Sequence, residues 1–235
     1  MPVAGHDVTF AHPRSGKPVR GILFDLDGTL VDSAPDIAFA VNTVLAHDGE
    51  LPHAVEVVRT LIGEGIHRLV EKSFALRHTH LNPAELNART AQFAAIYEVH
   101  IADETRPYPA VMSGLLALRH HGIKAAVVSN KAQHLTDRLL QALDLSQHFD
   151  LVVGAREGLP KKPAPAMLEF ALQALGLGID DAVFVGDSIA DVTAAAAAQL
   201  PCILVDGGYT VEPAASLGAW KTVPGFEQLV RLWLN

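Results

Sequence analysis

The chain has 235 residues, 49% of them hydrophobic and 19% charged, with 18 Lys and Arg against 26 Asp and Glu for a net charge of −8. So much apolar material specifies a buried core and excludes disorder, and an acidic pI near 5.8 excludes the electrostatic footprint of a nucleic-acid binder. The single cysteine, Cys202, excludes a disulfide framework or a cysteine-built metal centre, and no apolar run approaches the ~18 residues of a membrane span.

The first twenty residues carry charges and prolines without a continuous apolar stretch, so no secretory signal is expected and the expected compartment is the cytoplasm. Within them, residues 8–10 have the composition of an edge strand. The first firm strand is Gly21–Phe24, a continuous apolar run. Ser33, with Pro35 in the first turn, predicts a capped helix to His47. Gly63-Glu64-Gly65 reads as a turn between helices. Asn82-Pro83-Ala84-Glu85 reads as an N-cap, an N1 proline and an N3 glutamate ahead of a helix to about residue 102. Arg106-Pro107-Tyr108-Pro109 ends this helical stretch.

Four more apolar runs follow, at residues 125–128, 151–153, 182–185 and 202–205. Helical periodicity separates them, at 133–143 and at 165–175, the latter closed by Gly176. Continuous apolar strands alternating with helices predict a parallel sheet covered on both faces, the α/β, doubly wound, Rossmann-like architecture. About a hundred residues separate the first strand from the second, against ~30 in an ordinary βαβ unit. Residues 34–105 are therefore expected to form an inserted helical domain, with 1–33 and 106–235 as the core. Trp220 and Trp233 are expected to pack within the C-terminal segment, and Cys202 to be a small buried residue.

The polar residues with chemical potential fall just after strands, where open α/β sheets bind ligands. Asp25 and Asp27 end the first run, two residues apart. Ser129-Asn130-Lys131 ends the second, Lys162 precedes the helix at 165, and Asp187 and Asp191 follow the fourth. Four clustered acids require compensation, and oxygen-only ligands suit a hard cation, Mg2+ foremost. Ser129, Lys162 and the amides around Gly28 are donors suited to phosphate. A metal, anion donors and spare carboxylates together suggest phosphoryl transfer. Asn130 and Lys131 read as helix-start residues, with Asn130 also able to offer its amide to phosphate.

These segments resemble the four motifs of the haloacid dehalogenase superfamily. Phe24-Asp25-Leu26-Asp27-Gly28-Thr29-Leu30-Val31-Asp32-Ser33 is similar to its first motif, and Ser129-Asn130-Lys131, Lys162-Pro163 and Gly186-Asp187-Ser188-Ile189-Ala190-Asp191 to the others, in order. Residues 106–209 resemble phosphoglycolate phosphatases and their near relatives. The resemblance implies Asp25 as nucleophile, forming an aspartyl-phosphate, and Asp27 as general acid and base. It implies Mg2+ on the Asp25 carboxylate, the Asp27 backbone carbonyl and Asp187, with Asp191 acting behind them through water or Lys162. Ser129 would bind phosphoryl oxygens, and Lys162 would offset charge on Asp25 and phosphate. The helical insert would close over the site as a cap, and its glycine loop would read the substrate.

Arg68, just after that loop, is a candidate for a substrate carboxylate, although a solvated helix face explains it equally well. The scattered histidines, including His78, His80, His120 and His121, lack carboxylate partners at metal-site spacing. The expected reaction is Mg2+-dependent hydrolysis of a small phosphorylated metabolite, 2-phosphoglycolate foremost. N-acetylmuramic acid 6-phosphate, another sugar phosphate and pyrophosphate are alternative substrates. A β-phosphoglucomutase-type mutase and a phospho-accepting signalling module are alternative functions. The protein is expected to be a monomer or homodimer.

Overall fold

The computed structural model describes residues 10–234, so residues 8 and 9 of the expected edge strand lie outside them. Strand β1 (Gly21–Phe24) is followed by a two-residue strand, β2 (Val31–Asp32), and then by four helices: α1 (Ala34–His47), α2 (Val55–Arg59), α3 (Ile66–Ala75) and α4 (Pro83–Val99). Strand β3 (Arg106–Pro107) returns antiparallel beside β2, pairing Val31 with Pro107 and Asp32 with Arg106. The helical insert thus hangs from a two-stranded stalk. Its α4 starts as predicted: the Asn82 side chain accepts from the Ala84 and Glu85 amides, while the Glu85 side chain accepts from the Asn82 amide.

The chain continues through α5 (Val111–His120), β4 (Lys124–Ala132), α6 (Gln133–Ala142), β5 (Leu151–Ala155), α7 (Ala166–Leu175), β6 (Ala182–Gly186), α8 (Ile189–Ala197), β7 (Cys202–Val205), β8 (Lys221–Val223) and α9 (Phe226–Leu234). The main sheet has the order β5-β4-β1-β6-β7-β8, with every neighbouring pair parallel. Successive side chains alternate between its faces. Ile22 and Phe24 enter one apolar cluster, with Leu115, Leu139 and Trp233; Leu23 enters the other, with Leu168, Phe184 and Ala195.

Three local expectations change. The sheet has a sixth strand, β8, whose Lys221-Thr222-Val223 is too short and polar to register as an apolar run; it occupies an edge, where such residues belong. Strand β4 runs through Ser129, Asn130 and Lys131 to Ala132 instead of stopping at Val128, with a register irregularity on the way. Asn130 and Lys131 are strand residues, not helix starts, because buried partners satisfy their side chains. Finally, Trp233 is fully buried, 5.9 Å from Phe24 and 5.7 Å from Phe226, but Trp220 is 45% exposed and only rests near Phe10.

Candidate active site

The carboxyl ends of β1, β4 and β6, with the loop before α7, converge under the insert. Asp25 is fixed by its amide, which donates to Val185 O at 2.8 Å. Its carboxylate meets the Lys162 ammonium at 2.8 Å, and that ammonium also meets Asp191 at 2.7 Å. The other oxygen of Asp191 accepts from the Ser188 hydroxyl at 2.6 Å, the Ser188 amide at 3.0 Å and the Asp187 amide at 3.2 Å. Asp191 therefore anchors the loop that carries Asp187. Asp187 in turn accepts from the Tyr209 amide at 2.6 Å and the Thr29 hydroxyl at 3.3 Å. Gly28 turns with φ +87° against this carboxylate, and a Cβ there would overlap it.

Asp25, Asp187 and Asp191 can each offer an oxygen within 4.8 Å of the others, and all three are buried. Burial pushes the Asp25 carboxyl up to about 7, against the pull of Lys162 and with Asp191 adding to the rise. Burial, then Asp191 and Asp25, push Asp187 well above the usual carboxylate range. Burial works against the charge on Lys162, but Asp191 and Asp25 outweigh it and the ammonium is held more firmly charged than usual. One ammonium among three buried carboxylates leaves the cluster short of positive charge. An all-oxygen donor set with that deficit fits a hard divalent cation. Asp25 and Asp187 are brought together as the sequence predicts. The Asp27 side chain is not part of this cluster.

That side chain is held by two residues the sequence reading placed differently. The Lys131 ammonium contacts both Asp27 oxygens, at 3.0 and 2.9 Å, and the Ser33 hydroxyl donates to one of them at 2.6 Å. Ser33 does stand at the start of α1, but its hydroxyl makes no capping bond. Burial opposes the charge on Lys131, yet Asp27 outweighs it and raises the ammonium above its ordinary value. A lysine inside the otherwise uncharged end of a core strand was the available signal for this role.

The phosphate donors divide. Ser129 is buried, its hydroxyl accepting from the Lys131 amide at 3.2 Å, and it lines the cavity beside Asp25. The Gly28 amide is taken by Val31 O at 2.9 Å. The Asn130 amide group is also taken, donating to Gly63 O and Lys162 O at 2.9 Å each, while its carbonyl oxygen accepts from the Lys162 amide at 2.9 Å. Asn130 therefore ties the glycine loop and the Lys162 loop to β4 and has no amide proton left for phosphate. Lys161 adds a second tie, donating to Glu64 O at 3.1 Å. Arg68 is not brought into the site: its guanidinium pairs with Glu71 and, at 3.6 Å, with Glu64, and Glu64 also pairs with Lys72.

Two spaces meet at Asp25 and Asp27. A cleft of about 230 Å3 carries Asp187, Ser188 and Tyr209. A pocket of about 40 Å3 lies on the other side, floored by Ser129 and Lys131 and walled by Ile37, Ile66, Leu69, Phe93 and Tyr97. The model of the haloacid dehalogenase-like hydrolases matches residues 22–205. The chain belongs to that family.

The protein is 38% identical to a phosphoglycolate phosphatase of Caulobacter vibrioides over 205 residues, 87% of this chain and 86% of that one. It is 40% identical to one of Yersinia pestis over 195 residues, 82% of this chain and 83% of that one. Its fold is similar to the crystal structure of a predicted phosphoglycolate phosphatase from Haemophilus somnus, at a TM-score of 0.84, 29% identity and coverage of 91% and 97%. The family and these relatives make the chain a phosphatase, a hydrolase of phosphoric monoesters. Among the described residues no helix is long and apolar enough to cross a membrane.

Proposed function

We propose that the enzyme hydrolyses 2-phosphoglycolate to glycolate and phosphate, in the cytoplasm, with Mg2+ as its metal. One observation carries this reading: Asp25 and Asp27 stand where a cleft that carries Asp187 and Ser188 meets a pocket of only about 40 Å3. The phosphoryl group fits where the two spaces meet, at Asp25, with Asp187 on the cleft side and Ser129 on the pocket side. The pocket then takes the leaving alcohol, and its size favours a two-carbon acid over a sugar or an N-acetylmuramic acid. The names of the similar proteins support the same substrate.

In the first step an Asp25 oxygen attacks phosphorus and the ester P–O bond breaks, leaving an aspartyl-phosphate. Asp27 gives its proton to the departing glycolate oxygen. It then takes a proton from water, whose oxygen attacks the same phosphorus and releases phosphate and Asp25. Asp25, Asp187 and the Asp27 carbonyl would hold Mg2+, whose charge lets an anionic carboxylate approach an anionic phosphate. Lys162 orients Asp25 and offsets its charge; Ser129 donates to a phosphoryl oxygen. Helices α1–α4, tied to the core through Asn130 and Lys161, act as a cap that keeps bulk water from the intermediate.

The test is phosphate release from 2-phosphoglycolate, N-acetylmuramic acid 6-phosphate, other sugar phosphates, pyrophosphate and nucleotides, with Mg2+ and with EDTA. A metal-dependent preference for 2-phosphoglycolate is expected. Faster hydrolysis of any other member would overturn the substrate assignment, and undiminished activity in EDTA the metal.

A further inference from the structure

The small pocket contains two polar groups that the hydrolytic steps above do not use. The first is the Lys131 ammonium, whose side chain is 4% exposed. Besides facing Asp27 it lies 4.7 Å from the centre of the Tyr97 ring. The second is the Tyr97 hydroxyl, which is buried beside the Lys131 ammonium and meets no hydrogen-bond acceptor. Tyr97 comes from α4 of the insert and Lys131 from β4 of the core, so the pair spans the pocket between the two layers. Around them the walls are apolar, with Phe93 stacked on Tyr97 at 5.6 Å.

The Lys131 ammonium has Asp27 on one side, but the buried Tyr97 hydroxyl beside it has no acceptor, which is costly to keep in an apolar pocket unless one arrives. We propose that Lys131 and Tyr97 form the subsite that binds the carboxylate of the leaving alcohol. The proposal rests on the 2-phosphoglycolate reading above and adds the residues that discriminate. In such an ester the carboxylate stands one carbon beyond the bridging oxygen. With that oxygen facing Asp27, the carboxylate meets the ammonium that is itself 2.9 Å from Asp27. Lys131 supplies charge beyond its pair with Asp27, Tyr97 supplies an O–H donor, and an alkyl group in the same place leaves the Tyr97 hydroxyl without an acceptor. Rejection by unpaired polar groups is the strong form of specificity.

The experiment compares kcat/KM for matched esters with and without the carboxylate: 2-phosphoglycolate against ethyl phosphate, and 2-phospholactate against isopropyl phosphate. Wild type, Tyr97→Phe and Lys131→Met are assayed, with product inhibition by glycolate as a second readout. Tyr97→Phe removes one oxygen and keeps the ring packing, so it reports even where loss of the Lys131 charge disturbs Asp27. The expected result is a fall in the carboxylate preference of about tenfold or more in each variant, the size of one hydrogen bond to a charged group, with a matching weakening of glycolate inhibition. If both members of a pair fall by the same factor, Lys131 serves only to hold Asp27 and the subsite is refuted, while the substrate reading stands. If wild type prefers 2-phospholactate and the variants lose that preference, the subsite stands and the substrate reading falls. If wild type prefers neither carboxylated ester, both fall.

Discussion

Replacing Asp25, the proposed nucleophile, by its neutral isostere should stabilise the metal-free protein at and above neutral pH. Asp25 is buried, and burial, with Asp191 adding and Lys162 opposing, moves its carboxyl from 3.8 to about 7. The folded state thus binds this proton more tightly than the unfolded chain does. The stability linked to it is complete below about pH 4 and is lost as pH rises through about 7. About three units at ~1.4 kcal/mol each sets the loss on the order of 4 kcal/mol. A carboxamide stays neutral throughout, so Asp25→Asn escapes that loss. For a chain of this length each kcal/mol moves Tm by about 2–4 °C, so the variant should melt roughly 10 °C above wild type at about pH 8.

The assay is thermal unfolding of both proteins in EDTA, between about pH 4.5 and about pH 8.5. The two melting curves should nearly coincide at the acid end and separate as pH rises. Mg2+ should then narrow the gap, because binding to the native carboxylates stabilises wild type by mass action and the variant has lost one ligand. A variant that melts at or below wild type at every pH in EDTA would refute the argument that the cluster lacks positive charge.

Chemistry and architecture give two more tests. Asp27→Asn should slow turnover by about a hundredfold or more, the usual worth of a positioned acid–base group, with the phosphoenzyme persisting in rapid-quench labelling; a variant with normal turnover would remove Asp27 from the mechanism. Tyr209→Phe removes a hydroxyl that accepts from the Ser33 amide at 2.7 Å and the Ala34 amide at 3.0 Å and donates to Asp32 at 2.8 Å. Ala34 retains Asp32 as a long acceptor at 3.3 Å, but the buried Ser33 amide loses its partner. The expected cost in urea unfolding is about 1–3 kcal/mol, and an unchanged midpoint would show the hydroxyl to be dispensable at the stalk.

The residues that converge on Asp25 were legible because each follows an apolar strand, and strand ends in a parallel sheet share one rim. Asp25, Lys162, Asp187 and Asp191 needed only that rule and their order. Arg68 shows local information left unused: Glu64 stands four residues before it and Glu71 three after, the spacing of helix-surface ion pairs. The short edge strand β8 and the exposed Trp220 were hidden for a different reason. Three residues carry no period, and a tryptophan's burial depends on what lies across from it.

Ser33, Asn130 and Lys131 share a deeper cause. Local rules place serine at a helix start as a cap, asparagine and lysine in turns or on the surface. Each obeys a longer-range partner instead: Ser33 meets Asp27, Asn130 bridges Gly63 and Lys162, and Lys131 sits between Asp27 and Tyr97. Two of these partners, Gly63 and Tyr97, belong to the insert, whose docking against the sheet no local pattern encodes. Side chains that contradict their own neighbourhood are where a fold departs from local consistency, and functional sites are where such departures are expected. Here they identify the face on which insert and core meet. That face carries the small pocket, so the feature hardest to read from sequence is the one to which the proposed substrate choice is assigned.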